Sequence, residues 1–175
     1  MKGQHREVPT FRDATLYDVP HLALLDLICF PDHAFPAETI QRFIELGQPC
    51  VVAEDHASGG VIAFAMLMPE PEEGTGALMT IDVDPDHRCL GLGRELVAWC
   101  ARYLRGMDEP MWLIWLTVAT RNSGARTFYD RLGFVEVDLI AEYYRDDDAI
   151  VLVHRDLEGL EGNGPTLDLP TSPSK

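Results

Sequence analysis

Basic residues are scarce in this chain and long apolar runs are absent. Fourteen Lys and Arg stand against 29 Asp and Glu, a formal net charge of −15 at neutral pH. Broad nucleic-acid binding and attachment to anionic membranes both need clustered cations, so neither is expected. No stretch approaches the roughly 20 apolar residues that span a bilayer. No apolar core follows Met1-Lys2-Gly3-Gln4-His5 as a secretory signal requires. Cysteine is sparse too. Cys29, Cys50, Cys89 and Cys100 include no C-x-x-C pair, and three of them sit in apolar stretches. They read as small hydrophobes in a reducing cytoplasm rather than as disulfides or a zinc site. The six histidines are scattered without ligand spacing, so no metal is expected. What remains is ordinary: 175 residues, 46% hydrophobic and 25% charged, enough for one domain with a real core.

Along the chain, apolar spacing alternates between helical and strand periods, which suggests an α/β layer structure. Phe11–Ala14 reads as a short strand. A helix from Asp18 carries Leu22, Leu25 and Ile28 on one side. Pro36 opens a second helix bearing Ile40, Phe43 and Ile44, and Gly47 closes it. Pro49–Ala53 and Val61–Met68 flank the turn Ser58-Gly59-Gly60 as strands. Ala77–Val83 is a strand, and a helix follows with Leu92, Leu96, Val97, Cys100, Ala101 and Leu104 in register. Met111–Val118 is a strongly apolar strand. Asn122 caps a helix in which Ala125, Phe128, Tyr129 and Leu132 share a face, and Gly133 ends it. Strands at Val135–Tyr144 and Ala149–His154 complete the domain, with Asp146-Asp147-Asp148 as a solvated turn between them. The expected organisation is an N-terminal extension over 1–8, one domain over 9–155, and a flexible acidic tail over 156–175.

Between the strand ending at Val83 and the following helix lies Arg88-Cys89-Leu90-Gly91-Leu92-Gly93-Arg94. Strand, glycine loop and helix together present backbone N–H groups and a positive helix end to an anion. A dinucleotide fingerprint wants a third glycine where Leu96 stands, and a phosphate-binding P-loop wants Gly-Lys-Ser/Thr, which is missing. Asp82, Asp84 and Asp86 start like a calcium loop, but its sixth position is His87 and its twelfth Gly93.

About thirty residues on stands Asn122-x-x-Ala125-x-x-Phe128-Tyr129-x-x-Leu132-Gly133-Phe134. With Arg88-x-x-Gly91-x-Gly93, this pair of motifs resembles the GNAT acetyltransferase superfamily over roughly residues 9 to 155. Cys29-Phe30-Pro31, Ile81-Asp82-Val83-Asp84-Pro85 and Glu142-Tyr143-Tyr144 with Asp148-Ala149 resemble the branch that acetylates peptide and ribosomal-protein N-termini. The resemblance implies a central mixed, mostly antiparallel sheet of six to seven strands, with helices on both faces and splayed central strands. It implies acetyl-CoA as cosubstrate and a primary amine as acceptor, in a monomer or homodimer. The alternatives are an enzyme acting on small amines such as polyamines or antibiotics, and a non-catalytic acetyl-CoA-binding module.

The resemblance also implies roles for residues. The N–H groups of Cys89, Leu90, Gly91, Leu92, Gly93 and Arg94 would hold the CoA pyrophosphate, with Arg88 and Arg94 as possible phosphate contacts. The backbone of Ile81 and Val83 would pair with the pantetheine arm, an N–H near Val83 would stabilise the oxyanion, and Asn122, Ala125 and Phe128 would complete the cofactor site. Tyr129 is the expected acid, because a phenol of pKa about 10 can protonate a departing thiolate at neutral pH; Phe128 is the better candidate for a core aromatic. The related ribosomal-protein enzymes carry a glutamate five residues before the Asn, where this chain has Thr117. Asp82 is the expected substitute base, with Glu142 second. Tyr143 and Tyr144 face opposite sides of a strand, so at most one lines an acceptor groove whose other wall is Phe30–Phe35. The position of Cys89 beside a helix start leaves its reactivity open.

Charge is unevenly spread. From Arg88 to Arg131 seven arginines face four acids, a net of +3, which leaves −18 on the remainder. That division would hold an anionic donor and draw in a cationic acceptor. Measured at two ionic strengths, the Michaelis constant for a cationic amine is expected to rise with added salt.

Overall fold

A computed structural model describes residues 8–162. In chain order the elements are β1 (Thr10–Asp13), α1 (Val19–Cys29), α2 (Ala37–Glu45), β2 (Cys50–Asp55), β3 (Gly60–Glu70), β4 (Thr75–Val83), a 3-10 turn (Pro85–His87), α3 (Leu92–Arg105), β5 (Leu113–Ala119), α4 (Ser123–Arg131), β6 (Val135–Tyr144), β7 (Asp147–His154) and α5 (Leu157–Glu161). The strands follow the order β1-β2-β3-β4-β5-β7-β6. The β1–β2, β2–β3, β5–β7 and β6–β7 ladders are antiparallel and the β4–β5 ladder is parallel. A mixed, mostly antiparallel seven-stranded sheet with helices is the expected fold class.

The chain groups into two compact units, one of residues 8–66 and 80–96 and the other of 67–79 and 97–162. In the first, α1 and α2 bury Val19, Leu22, Leu25 and Ile40 against Cys50, Val52, Val61, Phe64 and Met66. The β1–β2 and β2–β3 ladders carry that core. Asp18 precedes α1 and accepts the Thr15 N–H at 2.7 Å and both Arg12 nitrogens at 2.9 Å. The Arg12 hydrogen bonds hold this carboxylate at a pKa of about 2. Pro36 in extended conformation leads into α2, with Glu38 in the first turn and Arg42 in the last to complement the helix dipole.

In the second unit, β5 pairs with β7 over Ile114–Ala119, and β7 with β6. The parallel β4–β5 ladder runs over Thr75↔Leu113, Gly76↔Ile114 and Ala77↔Trp115. Glycine at 76 allows a close approach, since a Cβ there would lie 2.6 Å from Leu104 Cδ2. Strand β6 ends the sheet order and is exposed along nearly its whole length. Two register shifts and the acids Glu136 and Asp138 guard that edge.

Several boundaries differ from expectation, β4 starting two residues earlier, at Thr75, and β5 two later, at Leu113. Strand β3 continues to Glu70. Strand β7 starts at Asp147, so the turn between β6 and β7 shrinks to Arg145-Asp146. The start of the expected tail is helical: Asp156 Oδ1 accepts the Gly159 N–H at 2.8 Å, Leu157 and Leu160 are buried, and Glu161 pairs with Arg105. A capping acid and two leucines three apart suffice for one turn when a core lies beneath them. Residues 1–7 and 163–175, which hold most of the expected extension and tail, lie outside the described residues. Among those described, no helix is long and apolar enough to cross a membrane, and no group of His, Cys, Asp or Glu could hold a metal ion.

Candidate active site

In the first unit the site begins at the end of β4. Side chains alternate along the strand. Met79 is exposed and Ile81 and Val83 are half-buried, while Thr80 and Asp82 are buried. The expected alternation therefore holds, but it turns Asp82 to the enclosed face. None of its surface is exposed. Its Oδ2 accepts the Thr80 hydroxyl at 2.8 Å, while Oδ1 has no donor among the described residues. The residue expected to act as the base is therefore enclosed rather than set on the open face with Ile81 and Val83. Burial first, and then the nearby Asp26, push its pKa well above the carboxylate range.

Asp26 was missed in the sequence. It is also buried, and its Oδ2 accepts the Phe35 N–H at 2.5 Å. Its signal was an acid one helical turn after Leu22, on the buried face of α1. Cys29, at the end of that helix, donates to the Val83 carbonyl at 3.5 Å, and burial pushes its thiol up to about 11.

After β4 the chain turns sharply. Asp84 Oδ1 accepts the Asp86 N–H at 2.8 Å, and the Asp84 N–H donates to Ile62 at 2.9 Å. Arg88 folds back on its own strand, with Nε on the Val83 carbonyl at 3.2 Å and Nη2 3.7 Å from Cys29 Sγ. Cys89 and Gly91 both take positive φ, at 62° and 87°. Cys89 and Leu90 are exposed, and a Cβ on Gly91 would meet nothing within 4 Å. Leu92 is buried and anchors the start of α3, while Arg94 is exposed. The Glu95 N–H donates to the Gly91 carbonyl at 3.1 Å, so helical bonding begins there. The N–H groups of Leu92, Gly93 and Arg94 precede it and point along the helix axis toward the loop.

The second unit holds the other motif. Asn122 Oδ1 accepts the Ala125 N–H at 3.0 Å and so caps α4 as expected. Tyr129 is the buried aromatic of this helix and Phe128 the half-buried one, the reverse of expectation. Tyr129 packs edge-on against Phe128 and Phe134, at centroid distances of 5.0 and 5.3 Å. On β5, Thr117 Oγ1 lies 3.2 Å from the Tyr144 hydroxyl. Tyr144 is half-buried, which raises its pKa, whereas Tyr143 is exposed. A bulge between Ile140 and Tyr144 places Glu142 at φ 54°, and Asp148 Oδ1 accepts its N–H at 2.8 Å. Glu142 is exposed.

The local excess of arginine is smaller in space than along the chain. Arg126 pairs with Glu136 at 2.9 Å, Arg121 with Asp146 at 3.5 Å, and Arg105 with Glu161. All three acids lie outside the 88–131 window.

The model of the acetyltransferase (GNAT) family matches residues 16–134. A ribosomal protein bS18-alanine N-acetyltransferase of Escherichia coli (strain K12) is 32% identical over 126 residues, covering 69% of this chain and 81% of the relative. Among solved structures, Ard1 from Thermoplasma volcanium has a TM-score of 0.76 at 20% identity, over 85% of this chain and 98% of its own. The acetyltransferase yncA from Salmonella typhimurium, solved with its cofactor acetyl-CoA, has a TM-score of 0.66 at 18% identity, over 85% and 94%. Both structural likenesses are likenesses of fold.

The cap makes a direct prediction. Asn122→Ala lowers stability by about 1 kcal/mol in urea unfolding, whereas Asn122→Asp, which keeps the acceptor oxygen, retains most of it.

Proposed function

The chain belongs to the GNAT acetyltransferase family, and from that premise we propose that it acetylates the α-amino group of a peptide or protein with acetyl-CoA. The observation that carries the donor half is the passage from Val83 to Glu95, where an exposed loop with an open Gly91 runs straight into a long helix. Such a loop suits a pyrophosphate, because backbone can approach the anion with no Cβ in the way. Acetyl-CoA supplies the thioester carbon that the amine attacks.

The roles of the chain's own groups follow. Backbone N–H groups of Cys89, Leu90, Gly91, Leu92, Gly93 and Arg94 bind the pyrophosphate. Arg94 screens its charge from solvent, while Arg88 braces Val83 and the end of α1. Backbone groups of Ile81 and Val83, beyond the last β5 partner at Ala77, pair with the pantetheine arm. In the second unit Asn122 spends its oxygen on the cap and keeps its amide Nδ2 for the cofactor, with Ala125 and Phe128. Tyr129, fixed by two aromatic neighbours, gives its proton to the departing thiolate.

The acceptor half rests on basicity. Thr117 cannot take a proton at neutral pH, and Asp82 is enclosed. With Asp82 enclosed and Glu142 out on the exposed hairpin, this reading has the amine arrive neutral or lose its proton to water. An α-amino group of pKa about 8 is roughly a tenth neutral at pH 7, whereas an amine near 10.4 is neutral in about one molecule in 2,500. This favours peptide N-termini over polyamines. The bS18-alanine activity of the E. coli relative points the same way.

Thiol release from acetyl-CoA, measured on short peptides and a polyamine panel, is expected only with the peptides. CoA binding without turnover on any amine overturns the reading. Across peptides of differing terminal pKa, the rise of kcat/KM with pH tracks the peptide's own amine; a rise at one fixed pH for all of them shows an enzyme base instead. Tyr129→Phe lowers kcat about 100-fold or more while CoA affinity changes little, and an unaltered kcat removes Tyr129 from the mechanism.

A further inference from the structure

Asp26 and Asp82 are two acids with almost no exposed surface, and the Cys29–Val83 hydrogen bond at 3.5 Å joins the end of α1 that carries the first to the end of β4 that carries the second. They come from elements 56 positions apart in the chain, α1 and β4. Asp26 Oδ2 also receives the Phe35 N–H, and Asp82 Oδ2 the Thr80 hydroxyl. Asp82 Oδ1 is fully buried and has no donor among the described residues. An orphaned buried oxygen beside a second carboxylate is costly if both are ionised and satisfied if one carries a proton.

We propose that Asp26 and Asp82 share a single proton as a hydrogen-bonded pair, and that this pair fastens the end of α1 and the segment Phe30–Phe35 to strand β4. The segment is tied at both ends to the pair's surroundings. The Phe35 N–H is held by Asp26 itself, and the Phe30 N–H by the Asp26 carbonyl at 2.7 Å. Cys29, next to Phe30, bonds to the Val83 carbonyl. Losing the proton sets two carboxylates against each other in an enclosed space, and the contact that gives is the one between helix and strand. Asp26 and Asp82 are thus positioning residues, which act through the segment that walls the acceptor side.

The titratable and charged groups around the pair are few. Cys29 faces it from α1 and Arg88 from the loop after β4. Cys50 faces it from β2, and also senses Asp13 and Asp18. The thiols of Cys29 and Cys50 are held by burial at about 11 and about 12. Neither of these thiols ionises before the pair does, and Asp32 and His33 stand in the fastened segment itself.

The link to acceptor binding rests on the peptide-acetylating reading; the link to folding does not. Two measurements separate them. First, counted on the neutral amine alone, the peptide KM of the wild type rises about tenfold from neutral to alkaline pH, at little change in kcat, as the pair loses its proton. Asp82→Asn carries a permanent N–H donor for Asp26. It rescues the clamp, keeping the neutral-pH KM and abolishing the alkaline rise, whereas Asp82→Ala raises KM at every pH. Second, thermal unfolding is followed against pH without substrate. The folded pair keeps its proton to higher pH than the unfolded chain, so the wild type loses stability relative to Asp82→Asn as pH rises. Parallel KM profiles for wild type and Asp82→Asn overturn the link to the acceptor wall, and parallel Tm profiles overturn the shared proton itself. If no amine is turned over, the Tm profiles still decide.

Discussion

Strand β4 serves two environments at once, and the two-residue period of a strand decides which side chain meets which. Its last five residues alternate between an enclosed face carrying Thr80 and Asp82 and a more open face carrying Met79, Ile81 and Val83. Everything around the donor end of the first unit follows from this. The open face leaves Ile81 and Val83 beside the loop that leads to α3. The enclosed face presents a carboxylate to α1, and α1 answers with a second carboxylate. A shift of one residue in register would place Asp82 on the open face and an apolar side chain against Asp26, leaving that acid without its partner.

The second unit uses a different device. Its strands β6 and β7 end in a hairpin where a bulge, not regular alternation, sets the tyrosines. The bulge puts Glu142 into left-handed backbone, a conformation that an ordinary side chain adopts only at some cost, and the Asp148 carboxylate holds its N–H. Downstream of that strained residue, Tyr144 turns toward β5 and meets Thr117, while Tyr143 stays exposed, with the two rings nearly perpendicular. On β5 this chain thus has a hydroxyl held by another hydroxyl, and such a pair orders the hairpin without accepting a proton.

Much of this was legible in the sequence. The glycine loop, the Asn122 cap and Tyr129 announce themselves through short spacings, because each belongs to one turn or one helix whose geometry is local. The mixed, mostly antiparallel sheet followed from the family resemblance. What was not legible depends on pairs distant in the chain. No local pattern in 19–29 says that Asp26 will meet Asp82, although its place on the buried face of α1 marks it as unusual. The three arginines from 105 to 126 look like a basic patch until Glu136, Asp146 and Glu161 are brought to them. The strand period placed Asp82 opposite Ile81 and Val83, but only the packing of α1 shows which of the two faces is closed. The single turn at Leu157–Glu161 was hidden by its length, since one turn has no period to detect.

The acidity of the chain also has a cause apart from partners. Asp18, Asp55, Asp84, Asp147, Asp148 and Asp156 each accept a backbone N–H at a turn, helix start or hairpin. In these places the oxygen is what the fold requires, and the negative charge comes with it. Asparagine offers an oxygen of the same reach without the charge, as Asn122 does at α4. Fold and net charge are therefore separable in this chain. Exposed Asp156 can be exchanged for asparagine with its turn left in place and the charge alone altered, whereas Asp18 needs its charge for Arg12.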